Sequence, residues 1–204
     1  MKRWIAVCFY TMCFALHGQE KVRLYYEDGS PKAVGDRLNG VRHGTWIYYY
    51  IIGGVSGKFQ YHDGELHGEQ LYYHSNGQLS AREYWESDLM QDSAVYYHPN
   101  GQLHKKGLML DGLYEGQWLF FHENGKPDRI AHYKDGLPNG FWSFYDSEGV
   151  VYQEGDFVDG VAHGPWKWYM AGQIDVEGTY DHGKEVGQWY RYTKKGKRKK
   201  WKSY

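Results

Sequence analysis

The octapeptides YYHSNGQL (72–79) and YYHPNGQL (96–103) match at seven of eight positions and begin 24 residues apart. Extending that alignment gives units beginning at Glu20, Gly44, Gly68, Asp92, Gly116, Gly140, Gly164 and Gly187, spaced by 24 residues six times and then by 23. A period of this length marks a solenoid, propeller or linear array, and it governs how every other motif is read. Trp stands two positions after the leading residue at Trp46, Trp118, Trp142, Trp166 and Trp189. Five positions after it comes an aromatic in every unit: Tyr25, Tyr49, Tyr73, Tyr97, Phe121, Tyr145, Tyr169 and Tyr192. Two turn signals follow, one like Asn76-Gly77, Asn100-Gly101 and Asn124-Gly125, the other like Asp63-Gly64, Asp111-Gly112, Asp135-Gly136 and Asp159-Gly160.

Asn-Gly and Asp-Gly between strand-like runs are the strongest short-range hairpin signals, because a type I′ turn needs positive φ at both central residues. Two such turns per unit leave two strands of roughly 5–7 residues, and Tyr, Trp and Phe suit a pleated surface. Alternation places each Trp and the aromatic two residues later on one face, with the recurrent Tyr on the other. The expected fold is all-β, an elongated single-layer antiparallel meander of about eight tandem 24-residue β-hairpins. One hairpin is marginal in water, so the units are stable only in series. Aromatic residues make up 19% of the chain, so rings covering one another are expected to supply most of the burial. The pattern is weakest over EYWESDLMQDSAV (83–95), where Ser87-Asp88 replaces Asp-Gly, Asp92 replaces the leading Gly, and Gln70 and Ala94 replace Trp. This reads as drift within an array, the sharper alternative being a kink or binding notch.

Units such as GPWKWYMAGQ, YKDGLPNGFWSFY and FVDGVAHGPWKWY resemble MORN repeats of the bacterial variant type, with their G-x-W-x-x-Y-Y…N-G…Y-x-D-G-x-x-x-G spacing. The resemblance covers about residues 20–193 and implies an interaction or membrane-association module, and for some bacterial variants an antitoxin-type inhibitor. A fainter similarity, to aromatic cell-wall-binding repeats, fits the spacing less well.

The ends of the chain differ from the array. Lys2 and Arg3, the apolar run Trp4–Leu16 and the small Gly18 read as a signal peptide over 1–18, too short to span a bilayer as a helix. Both cysteines, Cys8 and Cys13, fall within it, so an exported bacterial protein (periplasmic, cell-surface or secreted) without disulfides is expected. The repeat array is assigned to 19–193 and a basic tail to 194–204. The array holds 15 basic against 25 acidic residues, a net charge of −10. That balance argues against nucleic acid binding along the body. Seven basic residues crowd the last eleven. They read as a charged cap on the last edge strand, or as a peripheral contact with an anionic membrane through Lys194–Lys202.

Candidate chemistry dissolves into the repeat. His74, His98 and His122 recur in successive units, but equivalent residues two strands apart lie about 10 Å from one another. Zinc ligands must sit about 2 Å from the ion. His43, His67 and His163 recur likewise, and no metal or cofactor is expected. Asp63, Asp111, Asp135 and Asp159 occupy a turn position that favours Asp, and GGVSGKF (53–59) lacks the spacing of a phosphate loop. The expectation is a non-catalytic scaffold for a protein or cell-envelope partner, with no small-molecule substrate. Its candidate binding surface is the aromatic columns Tyr49, Tyr73, Tyr97, Phe121, Tyr145, Tyr169, Trp118, Trp142 and Trp166. The alternatives are an envelope glycan or anionic-lipid binder, since exposed rings suit sugars and cations, and an antitoxin-type inhibitor.

Overall fold

The computed structural model describes residues 18–204. Nearly all of the assigned signal peptide therefore lies outside the described residues. The chain forms one open antiparallel sheet in which consecutive strands pair in sequence order. The first hairpins are β1 (Gln19–Tyr25) with β2 (Pro31–Leu38), and β3 (Val41–Tyr49) with β4 (Val55–His62). The third joins the broken strand β5 (Glu65–Leu66) and β6 (Gly68–Tyr73) to β7 (Leu79–Glu86). Then come β8 (Leu89–Tyr97) with β9 (Leu103–Leu110), and β10 (Leu113–Phe121) with β11 (Pro127–Lys134). The sixth joins β12 (Leu137–Pro138) and β13 (Gly140–Tyr145) to β14 (Val151–Val158). The last two are β15 (Val161–Met170) with β16 (Gln173–Asp181), and β17 (Lys184–Tyr192) with β18 (Arg198–Ser203). Eight hairpins in register with the 24-residue period are what the repeat predicts.

The two turns of a unit differ, except in the unit from Gly164, where Ala171-Gly172 (50°, 75°) and His182-Gly183 (48°, 80°) are both two-residue turns. At the Asp-Gly turns both residues have positive φ, as at Asp63 (50°) and Gly64 (94°), so the type I′ expectation holds there. Ser87 (48°) and Asp88 (62°) keep the same geometry without a glycine. The Asn-Gly turns depart from the type I′ expectation: Gly77, Gly101 and Gly125 have positive φ and the preceding Asn residues do not. The reason lies in loop length. Five residues separate Tyr73 from its partner Leu79, and a loop of that size is built around a type I turn followed by a left-handed residue. Asn76 serves instead through its side chain, whose Oδ1 accepts the Gln78 N–H at 3.0 Å.

The tail assignment also changes. Arg198–Ser203 is β18, the return strand of the eighth hairpin, paired from Tyr192↔Arg198 to Gln188↔Ser203. Its dense lysines mask the period-2 pattern, but Lys202 reaches back to the Glu185 carboxylate at 2.5 Å and Arg198 to Glu177 at 3.2 Å.

A bulge after each leading residue lets the next Trp fold flat across the preceding hairpin. Trp118 lies on Gly107 and Trp166 on Gly155, where an added Cβ would find three ring atoms no farther than 2.5 Å away. Four indole N–H groups donate to the carbonyl ten residues earlier: Trp46 to Asp36, Trp118 to Leu108 and Trp142 to His132 at 2.9 Å, and Trp166 to Asp156 at 3.1 Å, whereas the buried Trp189 Nε1 has no partner. Aromatics from the return strand cover the indole edges, with Tyr133–Trp142 and Phe157–Trp166 ring centres each 5.1 Å apart. A single layer thus buries its tryptophans by laying them on its own backbone.

Candidate functional site

The nine residues proposed as a binding surface separate into two groups. Trp118, Trp142 and Trp166 are 0%, 6% and 3% exposed, so they form the core and are not available as a platform. The sequence showed which face they share but not that glycine or alanine lies beneath them. Tyr49, Tyr73, Tyr97, Phe121, Tyr145 and Tyr169 are half-buried, each at the register shift where a strand enters the first turn of its unit, which is Asn-Gly after Tyr73, Tyr97 and Phe121. The next residue along joins neighbouring units. The hydroxyls of Tyr26 and Tyr50 donate to the carbonyls of Tyr49 and Tyr73 at 2.7 and 2.5 Å. In the following units His74 and His98 make the same bond through Nε2–H, to Tyr97 at 2.9 Å and Phe121 at 2.8 Å. A parallel ladder runs through Asn76, Asn100 and Asn124, whose amides donate to Pro99, Glu123 and Ser147 at 2.7 Å. His74, His98 and His122 are thus rungs between hairpins.

The irregular third and fourth hairpins are compensated, not loose. Gln70 takes the Trp place and is fully buried. Its amide donates to the Gln60 carbonyl at 3.1 Å, the bond an indole makes elsewhere, and its Oε1 accepts the Gln60 N–H at 2.9 Å. Opposite it stands Glu83, 7% exposed, in the position held by Gly107 and Gly155 in other units. Trp85 Nε1–H donates to Glu83 Oε2 at 3.0 Å and the Tyr96 hydroxyl to Oε1 at 2.8 Å. Burial first, and then the bond to this carboxylate, raises the Tyr96 hydroxyl pKa well above its usual range. A larger residue at 83 is matched by the smallest side chain, Ala94, where the next Trp belongs. Drift with size compensation describes this region, and both Glu83 oxygens already serve internal donors.

The opposite face carries a feature that the motifs did not reveal. Direct pairing across the sheet aligns Arg23, Val34, Ile47, Lys58, Leu71, Arg82, Val95, Lys106, Leu119 and Ile130 in one column. Arg23, Lys58, Arg82 and Lys106 are exposed, and the aliphatic residues between them are half-buried. Lys58, Arg82 and Lys106 recur every second strand, about 10 Å apart. Lys58 Nζ also sits 5.7 Å from the Tyr73 ring centre, joining the stripe to the half-buried aromatic column. Past Ile130 the column turns mixed, through Ser143, Glu154, Lys167 and Glu177. The signal was in the sequence, at the third and fourteenth positions after each leading residue. It had no motif to draw attention to it.

Eight hairpins in one continuous sheet, with a core of rings laid on backbone, define a β-hairpin repeat protein. The family model described as MORN repeat variant matches residues 66–87 and 114–135. The two stretches begin 48 residues apart, two periods, and so pick out the same segment of the repeat. At these two repeats the chain is similar to MORN-variant proteins, a class of repeat that suggests a binding module. No curated protein matches the chain. Among solved structures, a chain of the TcdB2-TccC3 crystal structure is similar over 86% of this chain at 11% identity, with a TM-score of 0.19. This chain spans 14% of that one, and a likeness of that size carries no functional argument.

Proposed function

We propose that this protein is a non-catalytic scaffold, acting after export, that holds an acidic protein partner along the basic–aliphatic stripe. The stripe carries the reading: three exposed cations at a two-strand spacing, of which Arg82 pairs with Glu69 at 3.3 Å, separated by aliphatic side chains, on a sheet whose residues 19–193 carry a net charge of −10 while seven further basic residues gather at the β18 end. An acidic body is repelled by an extended anionic membrane, whereas a partner that contacts one line of residues meets the local positive charge. The half-buried Tyr73 and Tyr97 border the stripe and supply flat rings of the kind that anchor interfaces.

Affinity capture from the protein's own envelope fraction tests this, using the full chain beside a Lys58→Glu, Arg82→Glu, Lys106→Glu variant. The expected result is a specific acidic protein retained by the wild type, weakened by high salt and lost with the variant. Equal recovery by both proteins, no recovered protein, or sedimentation with anionic phosphatidylglycerol vesicles in place of protein capture would each overturn the reading.

A further inference from the structure

We infer that His163, Asp181 and His182 form a binding site for a divalent transition-metal ion of the zinc type. The inference is independent of the basic stripe. His163 lies on β15, and Asp181 and His182 lie where β16 enters the turn to β17. Asp181 Oδ1 sits between two imidazoles, 3.6 Å from His163 Nδ1 and 2.7 Å from His182 Nδ1, and the ligand atoms of all three residues lie within 4.8 Å of one another. Donors held about 2.0–2.2 Å from a tetrahedral zinc lie about 3.3–3.6 Å apart; the His163–Asp181 pair already has that separation, and the 2.7 Å hydrogen bond between His182 Nδ1 and Asp181 Oδ1 must open to admit the ion. The two rings meet edge-on at 5.2 Å. His163 Nδ1 accepts the His182 backbone N–H at 3.5 Å, a long hydrogen bond whose acceptor lone pair an ion would take over. Two imidazole nitrogens and one carboxylate, with side chains 40%, 76% and 60% exposed, leave the remaining coordination positions to water. Nitrogen and oxygen donors of this kind suit zinc, nickel or copper ahead of calcium or magnesium.

Spacing arguments against a histidine ladder do not reach this cluster, because they concern equivalent residues of successive hairpins. Here a strand residue of one unit meets the turn of the next. In other units the same contact is an ordinary latch: the Asp135 N–H donates to Glu115 Oε2 at 3.0 Å, and Asn139 Nδ2 to Asp159 Oδ1 at 3.4 Å. His182 is also an odd choice for its place, at φ 48° where Asp63, Asp111, Asp135 and Asp159 stand. A second observation comes from the other end of the array. His43, His62 and Asp63 place the same residue types with the turn pair reversed but more loosely, at 4.0 Å (His43–Asp63) and 3.8 Å (His62–Asp63), and their donors do not all converge as those of the His163 group do. There the buried Nδ1 of His43 has no hydrogen-bond partner.

The test uses the full chain and Zn²⁺ alone. Long-range ¹H–¹⁵N spectra of the imidazoles are recorded during titration, with calorimetry beside them. The variant is His163→Gln with His182→Asn, residues that Gln91 and Asn39 already supply at the equivalent places of the array. The expected result is saturable movement of the His163 and His182 Nδ1 resonances, with loss of one zinc equivalent or at least about tenfold weaker binding in the variant. If the double variant shows a lower melting temperature, His163→Gln alone gives the same comparison. Unmoved Nδ1 resonances in the wild type, or zinc binding by the variant equal to that of the wild type, would show a structural latch only and overturn the assignment.

Discussion

Restoring the tryptophan that the fourth hairpin lacks tests how this sheet is packed. Ala94→Trp places an indole where Trp118 and Trp166 stand in their own hairpins. Those rings occupy the space a Cβ would take on Gly107 or Gly155. Beneath residue 94 the corresponding residue is Glu83, which has a Cβ and a carboxylate bonded to Trp85 and Tyr96. Overpacking costs about 1–3 kcal/mol, and each hydrogen bond to a charged group that the new ring displaces costs about 1.5–3 kcal/mol. The single variant should therefore lose about 4 kcal/mol or more. Glu83→Gly alone strands two buried donors and should lose about 3–4 kcal/mol. Combined, the indole finds glycine beneath it and the Tyr84 carbonyl within reach, as Trp118 finds Leu108. The double variant should be about 2–3 kcal/mol more stable than the sum of the single losses implies. Urea unfolding followed by circular dichroism measures all four proteins. Losses that add within about 0.5 kcal/mol would mean that the two positions do not share a volume, and the size-compensation argument would fail.

Two further outcomes follow from the ladder and the buried hydroxyls. His98→Ala removes the bond to the Phe121 carbonyl and should cost about 0.5–1.5 kcal/mol, whereas His98→Tyr should stay near wild type because Tyr26 and Tyr50 make that bond in their units; urea titration of both variants checks the pair, and equal losses refute the rung. Tyr48, Tyr72 and Tyr96 hold their protons above the usual tyrosine range, chiefly through burial, then through Tyr61 for the first and Glu83 for the others. Above about pH 10 the unfolded chain binds fewer protons than the folded one, so stability should fall as pH rises through that point and be unaffected by these groups below it; a melting temperature level from pH 8 to pH 12 contradicts this.

The legible part of this protein is local. Asp63-Gly64 and its counterparts announce tight turns, the recurrent aromatics announce strands, and the shared period fixes eight hairpins in a meander. Each of these is a property of residues close together along the chain. The candidate surface was legible only in part, because Trp118, Trp142 and Trp166 share a pattern with exposed rings and differ from them in what lies underneath. β18 was hidden for a related reason: its lysines carry no hydrophobic alternation, and only pairing with β17 makes Arg198–Ser203 a strand.

By itself, then, the sequence determined the unit, where its turns fall and the geometry of the Asp-Gly ones, the number of hairpins and the identity of the face each aromatic occupies. Tertiary structure decided which aromatics are core, why Glu83 and Ala94 tolerate one another, and where charge lines up on the solvent side. It also brought His163 to Asp181 and His182, from positions that the repeat does not make equivalent. The physical reason is the same in each case. Bulges shift the cross-strand register, and register, set by pairing over the whole sheet, determines which side chain lies on glycine, which lies beside a lysine and which meets a turn of the next hairpin.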